Sequence, residues 1–293
     1  MTASLGDLRA HAVAHAGQGP HAPSPRPPAI RQVPRQGNEP RWELPAPQPT
    51  AEAERQHRKQ RLAAAFRLFA RHGFESGLAG HFSARDPIHT DHFWINPLGV
   101  SYSHIRASDL ILVDGREEVL QGDGLLNLSG LPYHDAIQRA RPEVVGIAHA
   151  HSFYGKVWSA FGRPVEPITA DAGLFHEDQA LFDPVRTPGG SYDQDRERIV
   201  AQAVTALGGH NTLIWQNHGF WTVGATVEAA AWRFIALEDA ARAQLLAQSA
   251  GNPIVTSLPS PSPQTRARLE VWAYLSFLPL WDRVVREEPD LLD

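Results

Sequence analysis

Pro142-Glu-Val-Val-Gly-Ile-Ala-His-Ala-His-Ser152 starts as a short apolar run, Val144 to Ala148, and ends in His149-Ala150-His151. The β-branched run reads as a buried strand. Side chains on a strand alternate between faces, so the two imidazoles point to the same side. Two neutral imidazoles converging there each reach a divalent cation at about 2.0–2.1 Å. With 15 histidines in the chain, roughly one H-x-H pair is expected by chance when matches are counted. The strand end makes this pair more than that, because ligands sit well on rigid elements. A third ligand must come from elsewhere.

Thr212-Leu-Ile-Trp215 is a second apolar strand, and it leads through Gln216-Asn-His-Gly219 into Phe220-Trp-Thr-Val223. A histidine in a turn between two apolar strands has no packing reason to be there, so His218 is the expected third ligand. Ser152 is placed to cap a helix that follows the first strand, with Val157, Trp158 and Phe161 expected to face inward. The N–H groups at that helix start would favour an anion, and substrate oxyanions are expected to collect there. Leu128 to Arg139 opens another helix, with Pro132 suited to its first turn. His134 on it is read as packing or hydrogen-bonding within the helix. Pro167 to His176 is a mixed strand or loop; Asp171 and His176 are either ordinary turn polars or support for the ligands.

The remaining elements surround this centre. Residues 1–50, with Pro20, Pro23, Pro25, Pro27 and Pro28, read as a disordered Pro-rich tail. A helix begins at Ala51, carries Leu62, Phe66, Phe69 and Ala70 at helical spacing, and stops at Gly73. Gly77 to Arg85, Phe93 to Gly99, Leu110 to Val113 and Glu118 to Gln121 read as neighbouring strands, with Asp114-Gly115 as a hairpin turn, so antiparallel pairing is favoured. Helices follow at Asp193–Leu207 and Thr226–Gln248. After a Pro/Ser linker at 258–263 the last helix runs from Thr265 to about Arg286. Its aromatic stripe, Trp272, Tyr274, Phe277 and Trp281, reads as core or interface. The pattern argues one α/β domain over residues 51–250 and a helical C-terminal extension over 251–293.

Composition narrows the chemistry. The 293-residue chain has 42% hydrophobic and 20% charged residues, in the range of globular proteins. A formal net charge of −5 argues against a general nucleic-acid binder. The absence of cysteine excludes disulfides and thiolate ligands, so any metal is held by His, carboxylate or water. No apolar run approaches a membrane span, and no secretory signal pattern opens the chain, which leaves the cytoplasm as the expected location.

Gly80-His-Phe-Ser83, Ile95-Asn-Pro-Leu-Gly99, His134 with Arg141-Pro142, the H-x-H strand and the N-H-G turn occur in an order that resembles the class II aldolase/adducin family over about residues 55–250. The resemblance implies a three-layer α/β fold with a central, mostly antiparallel sheet flanked by helices. It also implies a divalent cation on His149, His151 and His218, zinc first, with iron or manganese as alternatives. Homotetramers are common in the family, so a homo-oligomer acting on a small-molecule substrate is expected. The family's sugar-phosphate aldolases carry a catalytic glutamate where this chain has Gly130. Their phosphate-binding positions correspond to His81, Leu98-Gly99 and Leu128-Ser129. Gly130 and Asn127 are closer to the adducin-like bacterial branch, some of whose relatives are iron-dependent oxidative decarboxylases. The expected activity is a metal-dependent carbon–carbon lyase of aldolase or decarboxylase type on a non-phosphorylated hydroxy or oxo substrate. An Fe(II)/O2 oxidative decarboxylase and a non-catalytic scaffold are the alternatives. Asp171, His176 and Tyr133 are the candidates to replace the glutamate.

Overall fold

Thr50 starts the first helix: its Oγ1 accepts the Ala53 N–H at 3.1 Å, and Glu52 and Glu54 lie in the first turn, where the helix dipole favours acids. Helix α1 (Ala51–Arg71) buries Leu62, Phe66 and Phe69. Strands β1 (His81–Arg85), β2 (Phe93–Ile95), β3 (Ile111–Val113) and β4 (Val119–Gln121) follow, then helix α2 (Leu131–Ala140) with Gly130 at its N-cap. The H-x-H run is strand β5 (Gly146–Ala150), succeeded by helix α3 (Phe153–Ser159). Then come β6 (Gln179–Phe182), helix α4 (Tyr192–Leu207), β7 (Thr212–Trp215), β8 (Gly219–Gly224), and the long helices α5 (Val227–Ala250) and α6 (Pro263–Glu287). This is a computed structural model, and it describes residues 44–184 and 192–293; the expected tail lies, up to residue 43, outside the described residues.

The strands form one eight-stranded sheet in the order β4-β3-β2-β1-β5-β8-β7-β6. Every pairing is antiparallel except β6–β7, which are parallel because α4 carries the chain back between them. Alternation along the strands sends one set of side chains to each face. Phe82, Ala84, Ala148, Ala150, Ile214 and Phe220 pack under α1, α3, α5 and α6. Ile147, Leu213, Trp215, Trp221 and Val223 pack under α2 and α4. The result is the three-layer α/β arrangement expected from the pattern of elements, with H-x-H in the central strands and its histidines on the α2/α4 side.

Of the two readings of Pro167 to His176, strand or loop, the segment is loop, ending in a 3-10 turn, Ala172–Phe175; the strand comes later, at Gln179. Gln179 holds the loop instead, since its side chain exchanges two 2.8 Å hydrogen bonds with the Val165 backbone. One local expectation is corrected: of the three residues expected to face inward from α3, only Trp158 is buried, while Val157 is 38% exposed and Phe161, past the end of α3, is 53% exposed. The helix is too short, at seven residues, to turn a second row of side chains inward.

The last helix joins the main core. Phe277 and Val284 of α6 and the following Leu291 are fully buried in the same cluster as α1 and α5. Arg67 on α1 reaches Glu288 at 3.1 Å and Asp290 at 2.7 Å, and Arg71 pairs with Glu287 and Glu288. At the other end of α1, Asp86 is fully buried and accepts five hydrogen bonds: two from Arg55 at 2.7 and 2.9 Å, one from Trp94 Nε1 at 2.8 Å, and the Ile88 and His89 N–H groups. Burial opposes its charge, but these donors, Arg55 foremost, hold its carboxyl below the usual range. Asp86→Ala leaves the guanidinium and three N–H groups unpaired at once. It is expected to lower the unfolding free energy by about 3 kcal/mol in urea melts; a change under about 1 kcal/mol would show the cluster to be ornamental.

Candidate metal centre

The β5–β8 and β1–β5 registers assemble the site. His149 is paired with Trp221 on one side and with His81 on the other. His151 lies two residues on, on the same face. The β7–β8 connection has three residues, Gln216 to His218, with Asn217 in the left-handed region at φ 59°, a conformation asparagine tolerates. Gly219 then takes φ 153°, and a Cβ there would lie 3.4 Å from the Ala150 carbonyl oxygen, so this turn packs against the end of β5. That turn delivers His218 to the pair.

One ring nitrogen from each of His149, His151 and His218 lies within 4.8 Å of the others. His151 Nε2 and His218 Nε2 stand 3.3 Å apart. That is close to the edge, about 3.4 Å, of a tetrahedron with nitrogens about 2.05 Å from its centre. His149 Nδ1 donates to the Phe220 carbonyl at 2.8 Å, which commits its Nε2 to the site as an acceptor. Burial, reinforced by His81, His218 and His151, pushes His149 well below the ordinary imidazole pKa. Burial and Lys156 lower His151 as well. Neutral imidazoles are what a cation requires, so the donor set fits a divalent metal.

Two tryptophans set the ring planes. Trp221 stacks on His149 at 4.5 Å and 16°, and Trp215 stacks on His218 at 4.5 Å and 27°. In the sequence both read only as apolar strand residues. Their place on the α2/α4 face is the signal that identifies them: Trp221 is paired with His149 across β5–β8, and Trp215 stands on β7, the next strand.

A second group of histidines adjoins the first. His81 is 5% exposed and His134 fully buried. His81 Nδ1 lies 2.6 Å from His134 Nε2, and His134 Nδ1 lies 2.6 Å from Ser83 Oγ. The expectation that His134 bonds within its own helix is corrected: its partners are on β1, because α2 crosses that strand. Burial, with His149 nearby, pushes His134 down to about 3. His81 is driven well below the ordinary value by burial and by the surrounding histidines, His134 first. A Cβ built on Gly130 would collide with the His81 ring, at Nε2, Cδ2 and Cε1. The space of a side chain at position 130 is therefore filled by His81.

The helix start after β5 is already neutralised. Glu238 of α5 accepts the Ser152 hydroxyl at 2.7 Å and the Tyr154 and Gly155 N–H groups at 2.8 and 2.6 Å. The anion expected there is a carboxylate of the chain, not a substrate. Burial raises the Glu238 pKa against these hydrogen bonds.

The three candidates for acid–base work sit differently. Tyr133, 3% exposed on α2, touches Trp215 and Trp221 at ring distances of 5.2 and 5.4 Å, the two rings that stack on the histidines. Asp171 is exposed at the start of the Ala172–Phe175 turn, and His176 ends that turn beside Glu177, at 3.7 Å. Among the described residues, no hydrogen bond or ring contact joins Asp171 or His176 to the three histidines.

Known proteins are similar to this chain in sequence and fold. The Class II Aldolase and Adducin N-terminal domain matches residues 60–245. Decarboxylase NovR of Streptomyces niveus is 39% identical over 242 residues, 81% of this chain and 87% of that protein. A protein of Streptomyces roseochromogenus subsp. oscitans, described as 4-hydroxy-3-prenylphenylpyruvate oxygenase/4-hydroxy-3-prenylbenzoate synthase, is 39% identical over 246 residues, covering 81% and 85%. Among solved structures, L-fuculose 1-phosphate aldolase from Glaciozyma antarctica PI12 superposes with a TM-score of 0.74 at 36% identity, over 85% of this chain and 96% of that one. None of the described helices is long and apolar enough to cross a membrane.

Proposed function

Because the chain belongs to the class II aldolase and adducin family, we propose that it is a metal-dependent carbon–carbon lyase, of aldolase or decarboxylase type, acting on a small non-phosphorylated hydroxy or oxo substrate. The observation that carries this reading is the convergence of His149, His151 and His218 on one point. His149, His151 and His218 would hold a divalent cation, zinc first and iron or manganese otherwise, and it would supply Lewis-acid stabilisation of the charge that bond cleavage leaves on the substrate. The chain's own groups do the rest. Trp215 and Trp221 stack on the imidazoles of His218 and His149 and hold them in place. The Phe220 carbonyl keeps the His149 proton on Nδ1. Tyr133, Asp171 and His176 remain candidates for proton transfer, with Tyr133 favoured by its contact with Trp221.

A second reading has a specific support. One Streptomyces relative is named an oxygenase, and three neutral ligands with open positions also suit Fe(II) and dioxygen. Metal analysis of protein purified without chelator, coupled to oxygen uptake with a 2-oxo acid, separates the two. Zinc with turnover but no oxygen uptake supports the lyase. Iron with one dioxygen consumed per turnover supports the oxygenase. Protein devoid of metal after loading would sink both and leave a scaffold. A homotetramer belongs to the same proposal, and sedimentation velocity tests it.

Sugar-phosphate cleavage is expected to be absent. That chemistry needs a base at position 130, worth roughly 10²–10⁴-fold in rate, and glycine has nothing to titrate. Leu98 and Leu128 have no side-chain donors for a phosphate. Metal-loaded protein offered fuculose 1-phosphate or rhamnulose 1-phosphate is expected to turn over well below about 1 s⁻¹; a rate above that would refute the substrate class.

A further inference from the structure

The three histidines are not held equally. His149 lies inside β5, paired on both sides, with Trp221 stacked on its ring. His218 stands in its turn under Trp215, and its N–H donates to the Trp215 carbonyl at 3.0 Å. His151 lies one residue past the end of β5, whose last pair is Ala150 with Phe220. Among the described residues, its ring contacts are the other two histidines, at 5.1 and 4.7 Å. The support for His151 comes from the opposite face of the sheet. Alternation turns His151 toward α2 and α4 and the next side chain, Ser152, toward α5. Ser152 is fully buried there against Glu238, which is 5% exposed and flanked on α5 by the fully buried Leu237 and Ala241. The Glu238 carboxylate accepts two backbone N–H groups, Tyr154 on Oε1 and Gly155 on Oε2, and bonds the Ser152 hydroxyl through Oε2. Glycine at 155 leaves room for it: a Cβ there would stand 2.5 Å from Ser152 Oγ and 3.1 Å from Glu238 Oε2. The far end of α3 reaches the third ligand, because the N–H of Asn217, next to His218, donates to the Ser159 carbonyl at 3.2 Å. Helix α3 therefore links His151 to the turn of His218, and Glu238 fastens the start of that link to α5.

We propose that Glu238 is a positioning residue for the metal centre: it fixes His151 through Ser152 and the first turn of α3, and through α3 it steadies the turn that carries His218. It acts on the 3.3 Å separation of His151 Nε2 and His218 Nε2 from across the sheet, without touching a ligand. This rests on the reading that the three-histidine cluster holds a cation. A carboxylate is needed because both of its oxygens receive backbone N–H groups. In Glu238→Gln the amide NH2 faces one of those N–H groups in either orientation, which leaves a buried donor unpaired.

Protein loaded with Co(II), whose visible bands report both occupancy and ligand geometry, tests this without turnover, with affinity measured by competition against a chelating indicator. Wild-type protein is expected to bind one cobalt per chain. Glu238→Gln is expected to bind it roughly 10–100-fold more weakly, the loss typical of groups that orient ligands, and with shifted visible bands. Ser152→Ala keeps both N–H bonds, guards against a folding failure of Glu238→Gln, and is expected to lose affinity severalfold with a shift in the same direction. Asp86→Ala separates positioning from stability, since it removes another buried carboxylate, at the end of β1 away from His81. Lost stability leaves metal affinity unchanged while the metal-free chain stays folded, so this variant is expected to match the wild type in affinity and bands. Wild-type affinity and bands in Glu238→Gln and Ser152→Ala, or in whichever of the two folds, overturn the role of Glu238 and leave the metal site standing. An equal loss in folded Asp86→Ala overturns it as well. Failure of the wild type to take up cobalt overturns the metal reading itself.

Discussion

His149→Ala and His218→Ala are each expected to reduce stoichiometric divalent metal to a trace while leaving the fold in place. Each ligand of a tight zinc site is worth about 4 kcal/mol, roughly 10³-fold in affinity. Two imidazoles on one strand end cannot make up the loss, and among the described residues no other histidine or carboxylate joins the cluster. The two variants probe different supports. His149 is 2% exposed and stacked on Trp221, so its removal also opens a space beside that ring. His218 stands on a three-residue turn and is half-buried, so its removal disturbs little else. Metal content by mass spectrometry after dialysis, with far-ultraviolet circular dichroism as the fold control, checks both. Either variant retaining one metal per folded chain would show that the cluster is an aromatic-box arrangement of histidines and not a ligand set.

The site was legible in the sequence where one element determines the answer. The alternation of β5 alone puts His149 and His151 on one face, and a polar ring in a turn between apolar strands marks His218. The eight-stranded sheet was legible to the extent that its strands are local neighbours. What escaped depends on register between distant segments. His81 and Ser83 sit in β1, and only the pairing of His81 with His149 brings them to the site. His134 reads from sequence as packing or bonding within its own helix, because the crossing of α2 over β1 is not visible there. Glu238 carries no signal of its own in the sequence of the long helix. Its carboxylate nonetheless fills the start of α3, because α5 passes under that helix. The parallel β6 was hidden for a similar reason: a four-residue strand at the sheet edge, with Leu181 44% exposed, has too little apolar pattern to stand out.

The gathering of buried histidines has a consequence for acid stability. His81, His134 and His149 are at most 5% exposed, and burial drives each of them below its ordinary pKa, His134 to about 3. In the folded chain they stay neutral as the pH falls, whereas in the unfolded chain each takes up a proton near pH 6.5. The unfolded state therefore binds more protons below that pH, and stability falls with acidification. The contribution is fully present above about 6.5 and is lost progressively as pH falls toward the folded-state values. Between pH 7 and pH 5 each group costs about 2 kcal/mol, so the three together cost about 6 kcal/mol, a large part of the roughly 5–15 kcal/mol that holds a domain folded. Metal would mask this by binding the folded state, so the measurement belongs to chelator-treated protein. Its urea midpoint is expected to drop steeply from pH 7 to pH 5, well before most carboxylates titrate. His134→Gln, which keeps a polar side chain there without a titrating ring, should flatten that slope by about one third, or roughly 2 kcal/mol over the interval. A midpoint that holds steady across the interval would mean that these rings admit protons in the folded state.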